Sequence, residues 1–444
     1  MFSLLKNRTY RHLFLAQVVA LVGTGLATVA LGLLAYNLAG KDAGAVLGTA
    51  LAIKMVAYVL VAPLAGAYAN RFPRRTLLVS LDISRLAVVL VLPWVDQIWQ
   101  IYVLIFVLQS SSAAFTPTFQ ATIPEVLPDE EDYTRALSLS RLAYDLENLL
   151  SPALAAMLLL VVSYHGLFLG TAVGFMGSAL LVLSVVLPYA PATAPQLNVG
   201  RKLTQGLRIY LATPRLRGLL ALTLTAAAGS ALVIVNTVVI VRESLSQPES
   251  AVALALAAFG SGSMATALLL PRVLKQYSDR VVMFTAATLL CGLLIALAIT
   301  WPLLTPTLQW PLLLAGWLLL GASYAAVVTP GGLLLRRSST ERDRPALFAA
   351  QFSLSHACWL IAYPVVGWLG AKVSISAAIW AMAALAVLGT LLARGLWPRD
   401  DEEVLSHQHD DLLADHPHLS ENTGSRSHAH AFFIDEQHER WPSR

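Results

Sequence analysis

The 444-residue chain is 57% hydrophobic and 13% charged, against about 45–50% and about 25% in soluble domains. That balance excludes a soluble enzyme, a disordered chain and a fibrous protein, and it indicates a polytopic membrane protein. A formal charge of +4 is no sign of nucleic acid here, because basic residues in a membrane protein report topology.

A stretch of about 20 apolar residues spans a bilayer as a helix. In chain order the sequence predicts twelve: 13–39, 45–69, 77–95, 100–122, 136–163, 166–188, 217–241, 251–271, 281–300, 311–335, 346–370 and 375–397. The first is too long for the apolar core of a signal peptide, so it is read as retained. Basic residues crowd the connections on the side of the two chain ends, from Lys6, Arg8 and Arg11 to Arg394 and Arg399. The opposite connections hold Lys41, Arg242 and Lys372. This asymmetry places both termini in the cytoplasm. Cys291 and Cys358 sit in apolar runs and imply no disulfide.

The chain divides into a six-helix bundle (1–188), a central loop (189–216), a second six-helix bundle (217–397) and a polar, flexible tail (398–444). The central loop opens on Pro188, Pro191 and Pro195 and runs into a possible amphipathic segment, 203–212. The halves repeat faintly. Asp132-Tyr-Thr-Arg-Ala-Leu137 ahead of the fifth stretch is matched by Asp343-Arg-Pro-Ala-Leu347 ahead of the eleventh. Thr116-Pro117 is matched by Thr329-Pro330, and Pro152 by Pro364. A parallel six-plus-six repeat marks a transporter whose halves rock about a midplane site.

Between the second and third stretches the chain reads Gly66-Ala-Tyr-Ala-Asn70-Arg71-Phe-Pro73-Arg74-Arg75. This resembles the G-x-x-x-D-R-x-G-R-K/R pattern of the major facilitator superfamily, with Asn70 in place of the acid and Pro73 in place of the second Gly. The resemblance implies an all-α fold of twelve helices in two pseudo-repeats. It also implies that Arg71, Arg74 and Arg75 hold a cytoplasmic gate against the neighbouring half, and that the second and fifth helices border a central cavity. The lesser alternative is that these arginines are only topology anchors. Gly66 would allow close helix packing. More narrowly, the chain resembles the nickel-resistance exporters of that superfamily through the stretch Gln109–Pro124, the fifth stretch and a His-rich tail.

Ionisable groups at membrane depth are costly and therefore functional candidates. The fifth stretch holds Arg141, Asp145 and Glu147, with Arg141 and Asp145 spaced i,i+4 as mutual partners. At ~1.5 Å per residue, Asp145 and Glu147 lie ~13–16 Å deep and Lys54 ~14 Å deep. A contact between Lys54 and one of these carboxylates is therefore expected. It carries either the coupling proton or a structural ion pair. His356, near the midplane of the eleventh stretch, is a proton carrier, a metal ligand or an ordinary hydrogen-bonded interior histidine. Cys358 faces away from it. Asp82 and Arg85 form a local structural pair, and Gln17, Thr24, Gln109, Ser110 and Thr116 are candidate cavity residues.

Net charge +4 is a sum of unlike parts: residues 1–397 carry 26 basic and 15 acidic groups, and the tail carries 4 and 11. The tail also holds His407, His409, His416, His418, His428, His430 and His438, six of them in His-x-His pairs. Imidazole suits divalent transition metals, and the tail has no cysteine to make a thiolate site. Its end, Phe432 to Trp441, is less polar and a candidate to dock on the transporter.

No phosphate loop, nucleophile elbow or zinc-protease motif is present. The expectation is a secondary transporter, not an enzyme, driven by the proton gradient without a cofactor. It would sit as a multi-pass protein in a bacterial-type inner membrane. Its partners are the lipid bilayer and a small substrate, with no nucleic acid and no obligate protein partner. The leading expectation is proton-coupled efflux of a divalent metal, nickel favoured, with the tail binding nickel or another divalent ion. The alternatives are an exporter of drugs, siderophores or other organic compounds, and a metal sensor on a transporter scaffold.

Overall fold

A computed structural model describes residues 2–68, 72–129, 132, 136, 139, 140, 143, 151, 154–187, 199–340, 343–399, 404–408, 427–434, 438 and 441. Its helices are α1 (Arg8–Ala39), α2 (Ala43–Tyr68), α3 (Arg74–Val91), α4 (Ile98–Val126), α5 (Tyr164–Leu183), α6 (Val199–Ala212) and α7 (Pro214–Val239). There follow α8 (Glu249–Val273), α9 (Asp279–Thr300), α10 (Pro306–Val328), α11 (Gly331–Arg337), α12 (Arg344–Lys372) and α13 (Ile375–Leu396). Ten described segments are long and apolar enough to cross a membrane, and the first of them, Arg8–Val61, holds both α1 and most of α2. The fifth predicted stretch falls mostly outside the described residues.

Local chemistry sets the boundaries. Asn7 caps α1 by accepting the Tyr10 amide at 3.1 Å, and Gly40, at φ 53°, ends it and turns the chain into α2. Ser374 caps α13 through the Ala377 amide. Two boundaries depart from expectation. The amphipathic segment begins at Val199, four residues early, and the tenth stretch is two helices, broken at Pro330 before Gly331-Gly332.

The halves repeat in their packing. In the first, α1 packs on α5, α2 on α4, and α3 on both α4 and α5. In the second, α7 packs on α13, α8 on α10, and α9 on both α10 and α13. Each pairing of one half thus recurs in the other. Among the described residues the principal contact between the halves is α2 against α12. Leu60, Leu169, Val173, Leu268 and Trp368 stay exposed on the outer surfaces, where lipid is their natural solvent.

Candidate transport site

A small cavity lies among α1, α2, α4 and α7. Its walls are apolar, with Leu31, Leu51 and Ile234 among them, and its polar groups are Thr24, Thr28, Lys54, Gln109 and Ser112. The hydroxyls of Thr24, Thr28 and Ser112 each donate to a carbonyl one turn back in their own helix. That satisfies the donors and leaves oxygen lone pairs for a solute. Two expected lining residues are Thr24 and Gln109. Gln17 lies elsewhere: it is buried and accepts the Ser140 hydroxyl at 2.9 Å, tying α1 to the fifth stretch. Ser110 and Thr116 do not line this cavity, whereas Ser112 and Thr28 do.

Lys54 is the cationic group on the wall. Its Nζ stands 5.8 Å from the centroid of Tyr58, one turn along α2. Tyr58 lies nearly parallel to His356 of α12, with centroids 5.4 Å apart and planes 9° apart, and stacks on Phe352 at 5.8 Å. His356 Nδ1 is 2.6 Å from the Phe352 carbonyl oxygen. A carbonyl only accepts, so Nδ1 carries the proton and Nε2 is the basic nitrogen of the neutral ring. Cys358 lies near the carbonyls of Leu354 and of Leu220 in α7, while His356 meets α2. Lysine, tyrosine and histidine thus form a column from the cavity across the boundary between the halves. Arg141, Asp145 and Glu147, and with them the expected carboxylate contact of Lys54, lie outside the described residues.

Among the described loop residues, the contacts seen for Arg74 and Arg75 lie within the first half. Gly66 belongs to the last turns of α2, while Asn70 and Arg71 lie outside the described residues. Arg74 is buried and pairs with Glu125 at the end of α4, at 3.3 Å. Arg75 donates to the Leu183 carbonyl at the end of α5. The resemblance implied a clasp on the neighbouring half; the described contacts of these two arginines join α3 to α4 and α5. The charge partner Glu125 carried no motif and was missed.

The opposite face closes differently. There Gly44 and Gly48 of α2 meet Gly367 of α12, and a Cβ on Gly48 would lie 2.5 Å from the Tyr363 carbonyl oxygen. Lys372 pairs with Asp42 at 2.8 Å, and Tyr36 donates to Glu243 at 2.9 Å. Three glycines let two helices from different halves touch backbone to backbone. The spacing Gly44-x-x-x-Gly48 was a legible sign of this crossing.

Asp82 and Arg85 form a buried ion pair within α3. Ser178 donates to the carboxylate at 2.7 Å, and the guanidinium lies between the rings of Phe115 and Phe175, at 4.2 and 4.6 Å. The pair lies in the interior of the first half and does not itself line the cavity, although Phe175 does.

A family model described as the Major Facilitator Superfamily matches residues 13–240 and 219–412. The chain belongs to this superfamily. It is 26% identical over 244 residues to an uncharacterised MFS-type transporter, YfiS, of Bacillus subtilis (strain 168). That match spans 53% of this chain and 57% of the relative. Among solved structures it is similar to a mutant of the nucleoside transporter NupG, with a TM-score of 0.72 and 13% identity over 88% of this chain and 100% of that one. It is also similar to a bacterial homologue of the human lysosomal transporter Spinster, with a TM-score of 0.65 and 12% identity, covering 88% and 98%. At such identities the likeness is one of fold.

This superfamily member adds a structured end to its membrane part. Strands β1 (Val404–Gln408) and β2 (Ser427–Ala431) pair antiparallel, so the tail is not flexible throughout. The register sets His407 opposite His428 and His430 opposite Leu405. Beyond β2, Phe432 and Ile434 are buried in an apolar cluster with Tyr210, Leu216, Leu219, Leu347 and Trp397. Within that cluster Tyr210 is a lasting donor, because burial pushes its phenol well up. His438, a proposed metal ligand, is buried with its ring 4.7 Å from Phe432. His409, His416 and His418 lie outside the described residues. Among the described residues no group of three or more His, Cys, Asp or Glu is placed to hold a metal ion.

Proposed function

We propose that this superfamily member is a proton-coupled exporter of an organic solute, seated in an inner membrane with both termini in the cytoplasm. The observation that carries the proposal is the lining of the cavity. Apolar walls with a few hydroxyls, one amide and one lysine suit a molecule that buries carbon surface and is oriented by a few polar contacts. A bare divalent metal needs several nitrogen, oxygen or sulfur ligands converging on one point. The basic loops support the cytoplasmic termini. His356 supports proton coupling, because an imidazole can take up and release a proton and this one sits where the halves meet. The export direction follows the sequence resemblance to resistance exporters.

Metal efflux, with nickel as the favoured ion, is the second reading. The tail favours it, through three His-x-His pairs and the register that sets His407 opposite His428.

Inverted membrane vesicles under a pH gradient test both. The expected result is gradient-dependent accumulation of organic cations, neutrals or anions from a drug panel, and no gradient-dependent accumulation of Ni²⁺, Co²⁺ or Zn²⁺. Ni²⁺ accumulation without any organic flux overturns the first reading in favour of the second. Two variants locate the chemistry. Lys54→Ala is expected to weaken organic solute transport about ten-fold, the size of one lost charged contact. His356→Gln is expected to abolish pH-driven accumulation yet leave solute exchange intact, since glutamine keeps a polar side chain but carries no proton.

A further inference from the structure

We propose that Asn236 is a positioning residue of the transport cycle, whose buried side-chain oxygen keeps the face opposite the termini from resting closed. It acts in this way whatever the solute.

The residue stands where three helices meet. Asn236 belongs to α7 and is fully buried, and its amide donates to the Val366 carbonyl of α12 at 3.3 Å. Its Oδ1 points into the glycine crossing. A Cβ on Gly370 of α12 would stand 2.5 Å from that oxygen, and a Cβ on Gly44 of α2 would stand 3.0 Å from it. Only glycine leaves room for the amide on both sides. Gly44 is a first-half residue, so a polar group of one half is pressed against the backbone of the other.

Among the described residues no hydrogen-bond donor reaches Oδ1. Turning the amide over would not help, because the oxygen would then face the Val366 carbonyl, acceptor to acceptor. Other polar side chains of α7 are served. Ser230 receives the Trp359 indole N–H at 2.9 Å, and Thr237 receives that of Trp317 at 2.7 Å. Both of those donors come from the second half and stay with α7 when the halves separate. At the crossing, Gly44 and Gly370 offer the oxygen only Cα–H groups, which are far weaker donors.

A buried acceptor without a donor destabilises the form that buries it, and water relieves this on arrival. While α2 lies against α7 and α12, water has no room beside Oδ1. Separation of α2 admits it. The unfavourable contribution therefore falls on the closed form alone. Glycine packing favours closure, and the orphaned oxygen opposes it. A transporter that opens this face in every cycle is thereby kept from being trapped closed. An oxygen of this kind shifts the open-to-closed ratio by about ten-fold.

Size-matched variants of the full-length protein in nanodiscs test this, with spin labels on Lys41→Cys and Val373→Cys. Both positions are exposed and flank α2 and α12 on this face, and the native cysteines are buried. In α7 the hydroxyls of Thr223 and Thr237 donate to the carbonyl one turn back. Asn236→Thr can do the same, which withdraws the acceptor from the crossing. It is expected to lower the open-to-closed ratio about ten-fold. Asn236→Asp places a charge there, which burial disfavours more strongly, and is expected to raise the ratio by at least about ten-fold. Asn236→Ala/Gly370→Ala sets a methyl from α12 in the space the amide leaves, and is expected to favour closure as Asn236→Thr does. An amide that merely tied α7 to α12 would show lower thermal stability in these variants with the distance distribution unmoved, and that result overturns the proposal. So does a ratio that Asn236→Thr and Asn236→Asp move in the same direction.

Discussion

Gly48→Leu is expected to abolish transport while the protein still inserts and folds. The face opposite the termini closes by backbone contact between α2 and α12, and a Cβ on Gly48 would stand 2.5 Å from the Tyr363 carbonyl oxygen and 3.3 Å from the Gly367 Cα. Both obstacles are backbone, which cannot rotate aside as a side chain can. Overpacking of this kind costs about 1–3 kcal/mol, and about 1.4 kcal/mol is a factor of ten. A leucine therefore shifts the balance between closed and open forms of this face by up to about a hundred-fold. Folding is spared, because α2 packs within its own half against α4, and a rocking transporter must open this crossing in every cycle. The exposed ion pair Asp42–Lys372 bridges the same face, but exposed pairs contribute only about 0–1 kcal/mol. Asp42→Asn should thus leave transport within about three-fold of the parent. The measurement is the distance between spin labels on the far ends of α2 and α12, read beside vesicle transport. Gly48→Leu should lengthen that distance and reduce flux below about a tenth. Wild-type flux in Gly48→Leu would remove the glycine crossing as a gate.

The helices were legible because length and hydropathy act locally. An uninterrupted apolar run must be helical in a bilayer, where every backbone group needs an internal partner. Breaks were less legible. Pro117 and Pro330 occupy equivalent places in the repeat, yet Pro117 lies inside α4, which runs on to Val126, whereas Pro330 separates two helices. The difference is the two glycines that follow Pro330, which lower the cost of leaving the helix. Lys54 was legible as a cavity group because a lysine is rare at that depth. Its neighbours were not: the stack of Tyr58 on His356 joins residues from different halves, and no spacing within either helix announces it. Arg74 and Glu125 are likewise separated by a helix and a turn. Metal-type residues in the tail were visible as composition, but the opposition of His407 to His428 is a matter of register, and the chain between the strands does not encode it in any recognisable turn. His438 shows the limit of composition most plainly, since a histidine counted among ligands is packed on Phe432.

Arg85→Ala is expected to produce the largest loss of stability of any single change in the first half. Asp82 is fully buried, and its carboxylate is held by Arg85 and by the Ser178 hydroxyl at 2.7 Å. The guanidinium in turn lies between Phe115 and Phe175, where cation–π attraction and the rings' flat faces fit its plane. Alanine removes the charge and the filling of that slot together. Breaking a buried pair from one side costs about 3–5 kcal/mol, because the remaining charge has lost its partner. Removing both charges avoids that penalty, and Asp82→Asn/Arg85→Leu keeps an acceptor for Ser178 and an apolar filler between the rings. The double variant is therefore expected to recover more than half of the loss, a coupling measurable by a double-mutant cycle in denaturant titrations of the detergent-solubilised protein. Neither Asp82 nor Arg85 lines the cavity, so the double variant should also retain the parent's affinity for its solute. If it instead folds well but binds the solute about ten-fold more weakly, the pair belongs to the transport pathway and not to the scaffold that positions it.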